Sequence, residues 1–85
     1  MTAAVLLESE VAATLYRAGL AQHRFGDFAS MHEAYGVLAE EVEEFLDAVR
    51  LRQDNPERPD RCRQEALDIA AVCLRIAEQS ERVRR

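Results

Sequence analysis

Lysine is missing from this 85-residue chain, so all eleven basic side chains are arginine. No lysine can act as a phosphate ligand or form a Schiff base. Three glycines, two prolines and 6% aromatics leave little material for turns and hairpins, and β-branched residues are sparse. An all-α chain is therefore expected. The formal net charge of -5 argues against a nucleic-acid surface, which needs basic patches. The opening Met1–Glu8 has no basic region, and its apolar run is too short for a signal peptide or a membrane span. Only two cysteines occur, Cys62 and Cys73, placed on one expected helix about 16 Å apart. That is beyond disulfide reach. A reduced, cytoplasmic protein with both thiols in its core is the expectation.

What is present is helix-forming. Nearly half of the residues are apolar (48%), and alanine is the commonest of them. A single domain of this length buries only a modest core, so a lone three-helix monomer would be marginal.

The first helix is expected from about Ala3 to His23, as part of a covering segment over residues 1–27. Leu7, Val11, Leu15 and Ala18 recur at helical spacing in it. Gly26-Asp27 ends the segment, whose expected role is to cover the next two helices. Ser30-Met31-His32-Glu33 reads as a capping box opening a second helix over 31–52. Tyr35, Leu38, Val42, Phe45 and Val49 make one apolar stripe along it. Two prolines in Gln53–Asp60 forbid helix there. Asp60 is the expected N-cap of a third helix over 60–81. That helix carries a main stripe of Cys62, Ala66, Ile69, Cys73 and Ile76, with Leu67, Ala71 and Leu74 nearly opposite. A helix apolar on two sides is buried on two sides, so a second subunit is expected. The arginine tail, Arg82–Arg85, is expected to fray.

The chemistry lies in the acids. Glu40, Glu41, Glu43 and Glu44 put four carboxylates into five positions of the second helix. Like charges three and four apart repel unless they point to water or hold cations. At about 100° per residue, Glu41 and Glu44 share a face with Ala34, Val37 and Ala48. Glu43 and Asp47 lie on a solvated flank, and Glu40 borders both. On the third helix Glu65 falls near the core stripe and Asp68 at its edge. A carboxylate near a core is costly unless paired or metal-bound. Arg61, four residues before Glu65, offers an ion pair as the plainer explanation.

Oxygen ligands on two antiparallel helices, without histidine or cysteine at a fitting spacing, suit Mg²⁺ or Mn²⁺. Such cations invert the charge of an acidic pocket and let it take a triphosphate. They also polarise phosphoryl oxygens and stabilise a departing pyrophosphate. Glu40 is the acid placed to orient or deprotonate the attacking water.

Glu41-x-x-Glu44, twenty intervening residues and Glu65-x-x-Asp68 resemble the motif of the MazG-like, all-α nucleoside triphosphate pyrophosphohydrolases. The contexts His32–Phe45 and Glu65–Ala71 resemble a small bacterial and phage subgroup, and the similarity covers roughly Phe28 to Ala77. The resemblance implies an antiparallel helical bundle completed as a homodimer or dimer of dimers. It implies Mg²⁺-dependent hydrolysis of a (d)NTP between its α and β phosphates, giving a (d)NMP and pyrophosphate. It assigns the metal ligands to Glu41, Glu44, Glu65 and Asp68. Many relatives place Lys or Arg of a further helix near the phosphates. Here those contacts fall to Arg61 and Arg75 or to a partner subunit.

His32 and His23 are expected in solvent, and Tyr35 and Phe45 in the core, with Phe45 close enough to Glu44 to border a nucleotide. The competing reading is a non-enzymatic helical dimerisation module with solvated acidic faces. A carboxylate-bridged di-iron bundle wants Glu-x-x-His on two helices. No glutamate stands three residues before His23 or His32.

Overall fold

The computed structural model describes residues 1–84 and is all-helical among them, with α1 Ala3–Phe25, α2 Met31–Val49 and α3 Arg58–Arg84. Each start has a local cause. The Thr2 hydroxyl accepts from the backbone N–H of Val5 at 3.3 Å, and the Ser30 hydroxyl accepts from that of Glu33 at 3.0 Å. Gly26, at φ 70°, ends α1 and donates its N–H back to the Gln22 carbonyl at 2.9 Å. The second helix stops at Val49, short of the expected 52. The third begins at Arg58, so Asp60 lies in its first turn rather than capping it. There the carboxylate still complements the N-terminal end of the helix dipole.

Consecutive helices alternate in direction, and α3 lies in the middle. Contacts such as Glu10–Arg63, Gln22–Arg75 and Asp27–Arg82 advance together, so α1 runs parallel to α3. The pairs Phe28–Gln79 and Val49–Arg58 run oppositely, so α2 is antiparallel to α3. Helix α1 touches α3 alone, and α1 and α2 do not meet. The expected cover over both later helices is thus half made. The result is a flat layer of 47 × 28 × 19 Å. Its radius of gyration, 14.4 Å, exceeds the roughly 12 Å of a compact domain of this length.

The helix faces in contact differ from the apolar stripes. Helix α2 meets α3 through Ala34 and Ala48, both buried, with Val37, Leu38, Glu41 and Phe45 partly covered between them. Alanines allow the helices to come close, and the larger stripe lies about 100° around the helix. Tyr35, Val42 and Val49 are therefore exposed rather than core, and Leu46 with them. On α3 the buried line is Leu67, Ala71, Val72, Arg75 and Gln79, so Ala66 and Cys73 stand exposed and Cys62 is half-buried. The core expectation fails for Cys73. Leu7, Val11 and Leu15 of α1 remain exposed beside an apolar groove of about 900 Å³. Phe28, Ala34 and Val72 form the core proper, with Val37, Leu38 and Ile76 against it.

The arginine tail is helical through Arg84. Arg82 pairs with Asp27 and Glu78, each at 2.7 Å, and Arg84 pairs with Glu81. Those ion pairs hold the stretch expected to fray, whereas Arg85 lies outside the described residues. Among the described residues no helix is long and apolar enough to cross a membrane.

Candidate metal centre

Antiparallel packing of α2 on α3 sets Glu41 and Glu44 opposite Glu65. One carboxylate oxygen from each lies within 4.8 Å of the others. Glu41 and Glu65 are half-buried at the helix seam and Glu44 reaches solvent. Glu41 Oε2 and Glu65 Oε2 are buried and have no hydrogen-bond partner among the described residues. A buried carboxylate oxygen without a donor carries its full desolvation cost. Burial, then the charges of Glu44, Asp68 and Glu65, raise the Glu41 carboxyl from 4.5 to about 7. Burial also raises Glu65, with Glu44 and Asp68 adding and Arg61 opposing.

This donor set fits a hard divalent cation. All three donors are carboxylates, and two of their oxygens are orphaned where a cation would satisfy them. The fourth expected ligand is engaged elsewhere. Asp68 accepts a charged hydrogen bond from Arg17 of α1, whose other terminal nitrogen donates to Gln64 Oε1. Glu40 is exposed one position before Glu41, outside the converging trio. The sequence put no chemistry on α1. Arg17 lies off the apolar stripe of Leu7, Val11 and Leu15, yet α1 docks on α3 through a face that carries it beside the buried Ala18.

Beside the carboxylates, α1 and α2 wall a cleft of about 370 Å³ floored by Ala71 and Val72 of α3. Its polar lining includes Glu33, Glu41, Asp68, Arg17 and Arg75, and Phe25 and Phe28 close one end. That volume suits a small organic ligand. Arg75 is buried, with its guanidinium 4.4 Å from the Phe28 ring centre. It donates to the Gly26 carbonyl at 3.0 Å and to Gln22 Oε1 at 3.3 Å. Arg61 is exposed near Glu65, outside the cleft lining. Phe45, half-buried, is absent from that lining too, and the aromatics there are Phe25 and Phe28. His32 and His23 are exposed, as expected.

Comparison with protein-family models, curated proteins and solved structures finds no match to this chain.

Proposed function

We propose that this chain is a Mg²⁺- or Mn²⁺-dependent nucleoside triphosphate pyrophosphohydrolase of the MazG-like type, turning (d)NTP and water into (d)NMP and pyrophosphate. One observation carries the reading: Glu41 and Glu65, on facing helices and each with a buried, unpartnered carboxylate oxygen, converge with the Glu44 carboxylate beside a cleft of about 370 Å³. Glu41, Glu44 and Glu65 hold the cation, with Asp68 as fourth ligand once it leaves Arg17. Bound there, the cation would supply the charge that draws a triphosphate into an acidic cleft and would lower the pKa of a coordinated water. Glu40, solvent-facing next to Glu41, takes the proton of the attacking water. Arg75 presents its charge to the cleft from a fixed position against Phe28, and Arg61 stands at the outer edge near Glu65. Phe25 and Phe28 offer apolar surface to the nucleoside.

Homodimerisation belongs to the same proposal. Leu7, Val11 and Leu15, together with Tyr35, Val42 and Leu46, leave more apolar surface in water than a stable small monomer carries. A second copy is the economical cover. The same surface would serve a purely structural dimerisation module, so activity decides between the two readings.

The test is pyrophosphate release from a panel of dNTPs and NTPs with Mg²⁺. Wild type should release it. Glu44→Gln, Glu41→Gln and Asp68→Asn should each lose at least ~10²-fold, the scale of one lost electrostatic contact to a transition state. Glu43→Gln, on the solvated flank, should match wild type. Wild type as inactive as Glu44→Gln across the whole panel sinks the enzymatic reading.

A further inference from the structure

Asp68 belongs to two sets of groups at once. It lines the cleft with Glu41, three residues beyond Glu65 on α3, and it also accepts from Arg17. Arg17 reaches it across the α1–α3 contact. Its Nη1 donates to Asp68 and more weakly to the Gln64 carbonyl at 3.4 Å, and its Nη2 donates to Gln64 Oε1. A half-buried guanidinium needs an anionic partner, and a dication at the carboxylate cluster competes for the same one. Arg17 and Arg75 both line the cleft. Arg75 is committed to the Gly26 carbonyl, Gln22 and the Phe28 ring. Arg17 alone of the two is held by a candidate metal ligand.

We propose that Arg17 is an internal counter-ion that occupies Asp68 in the metal-free protein and transfers its guanidinium to a substrate phosphate when the cation takes Asp68. This rests on the triphosphate reading above. The cleft gives the released guanidinium a place to meet phosphate oxygens, which its forked donors fit two at a time. The exchange loads metal and substrate in order. Without nucleotide, Arg17 opposes the metal. With nucleotide, it adds a forked anion contact to the fixed charge that Arg75 presents. Glu10–Arg63 and Gln22–Arg75 also tie α1 to α3, and Asp27–Arg82 ties the connection just beyond it, so α1 has anchors besides Arg17.

The test is calorimetric titration of the full chain, wild type and Arg17→Met, first with MnCl₂ alone and then with a non-hydrolysable nucleoside triphosphate analogue in saturating Mn²⁺. The two affinities should move in opposite directions. Mn²⁺ should bind Arg17→Met roughly tenfold tighter, and the analogue should bind it at least about tenfold weaker, each the size of one charged contact. Arg17→Lys keeps the charge and the helix but loses the fork. It should shift both affinities the same way by smaller factors, and it serves if Arg17→Met does not fold. A merely structural staple predicts a lowered thermal midpoint with both ligands weakened, and that outcome overturns the proposal. So does unchanged affinity for either ligand in Arg17→Met. Wild type that binds no Mn²⁺ at all overturns the metal centre itself, whereas wild type that binds Mn²⁺ without the crossed response in the variants overturns only the role of Arg17.

Discussion

Phe28 and Gln79 form a reciprocal pair. The Phe28 backbone N–H donates to Gln79 Oε1 at 2.9 Å, and Gln79 Nε2 returns a bond to the Phe28 carbonyl at 3.0 Å. Both residues are buried, so one side chain of α3 satisfies both backbone groups of a connection that has no helix to satisfy them. Phe28 is thereby fixed against Ala34 and Val72, with its ring under Arg75.

Gln79→Ala strands a buried N–H and a buried carbonyl and should cost about 2–3 kcal/mol. Urea denaturation measures it as a lower midpoint at unchanged slope. Gln79→Glu keeps an acceptor for the Phe28 N–H but sets a buried carboxylate oxygen against the Phe28 carbonyl, and should cost at least as much at neutral pH.

Phe28→Leu should cost about 1 kcal/mol and Phe28→Ala about 3 kcal/mol or more, a large share of the stability of a domain this small. Thermal unfolding followed by circular dichroism reads both. Equal losses in the two variants would show that the ring does not sit in a tight core.

Stability against pH has two opposed limbs. Glu41 has a folded value of about 7, above its unfolded 4.5, so the folded state binds more protons between those values. The metal-free protein should therefore lose stability as pH rises from about 4.5 to 7. Asp27 has the opposite sign. Hydrogen bonds from Arg82 and then Gln22 lower it from 3.8 to about 2, and its contribution disappears as pH falls through that window. Thermal midpoints across pH should thus peak on the acid side of neutrality. Glu41→Gln should flatten the upper limb, and Arg82→Ala the lower one. A midpoint in wild type that does not change between pH 5 and 8 would contradict the buried Glu41.

Mn²⁺ should raise the thermal midpoint at pH 8 and do so less at pH 5.5, where Glu41 carries its proton and must give it up to bind. In Glu41→Gln the rise should nearly vanish. Fluorimetric melting with and without MnCl₂ reads this directly, and an undiminished rise in the variant would place the metal elsewhere.

Cys73 lies exposed in the apolar groove along α1, and Cys62 is half-buried. In dilute protein Cys73 should react with a thiol reagent faster than Cys62. If homodimers close that groove, the Cys73 rate should fall as protein concentration rises through the dissociation constant. A rate independent of concentration would leave the groove outside the dimer seam.

Local properties were legible without coordinates. Scarcity of glycine, proline and β-branched residues meant helices, and Ser30 and the Gln53–Asp60 prolines marked their limits within a few residues. The spacing of Glu41 and Glu44 was enough to put them on one face of α2, because side chains three and four apart share a helix face whatever that helix packs against, whereas their meeting with Glu65 needed the packing of α2 on α3. Which face each helix turns to its neighbours was another matter. Alanines at 34 and 48 allowed a closer approach than the larger stripe of Tyr35, Val42 and Val49, so α2 docked about 100° from the line of greatest hydrophobicity. That rotation set Tyr35 at the surface, and the docking of α1 and α2 on α3 left Cys73 exposed, buried Arg75 and Gln79, and brought Arg17 onto Asp68. Periodicity along one helix carries no information about a partner fifty-one residues away in the chain. Only packing of three helices against one another, where close contact competes with apolar area, settles which charges meet.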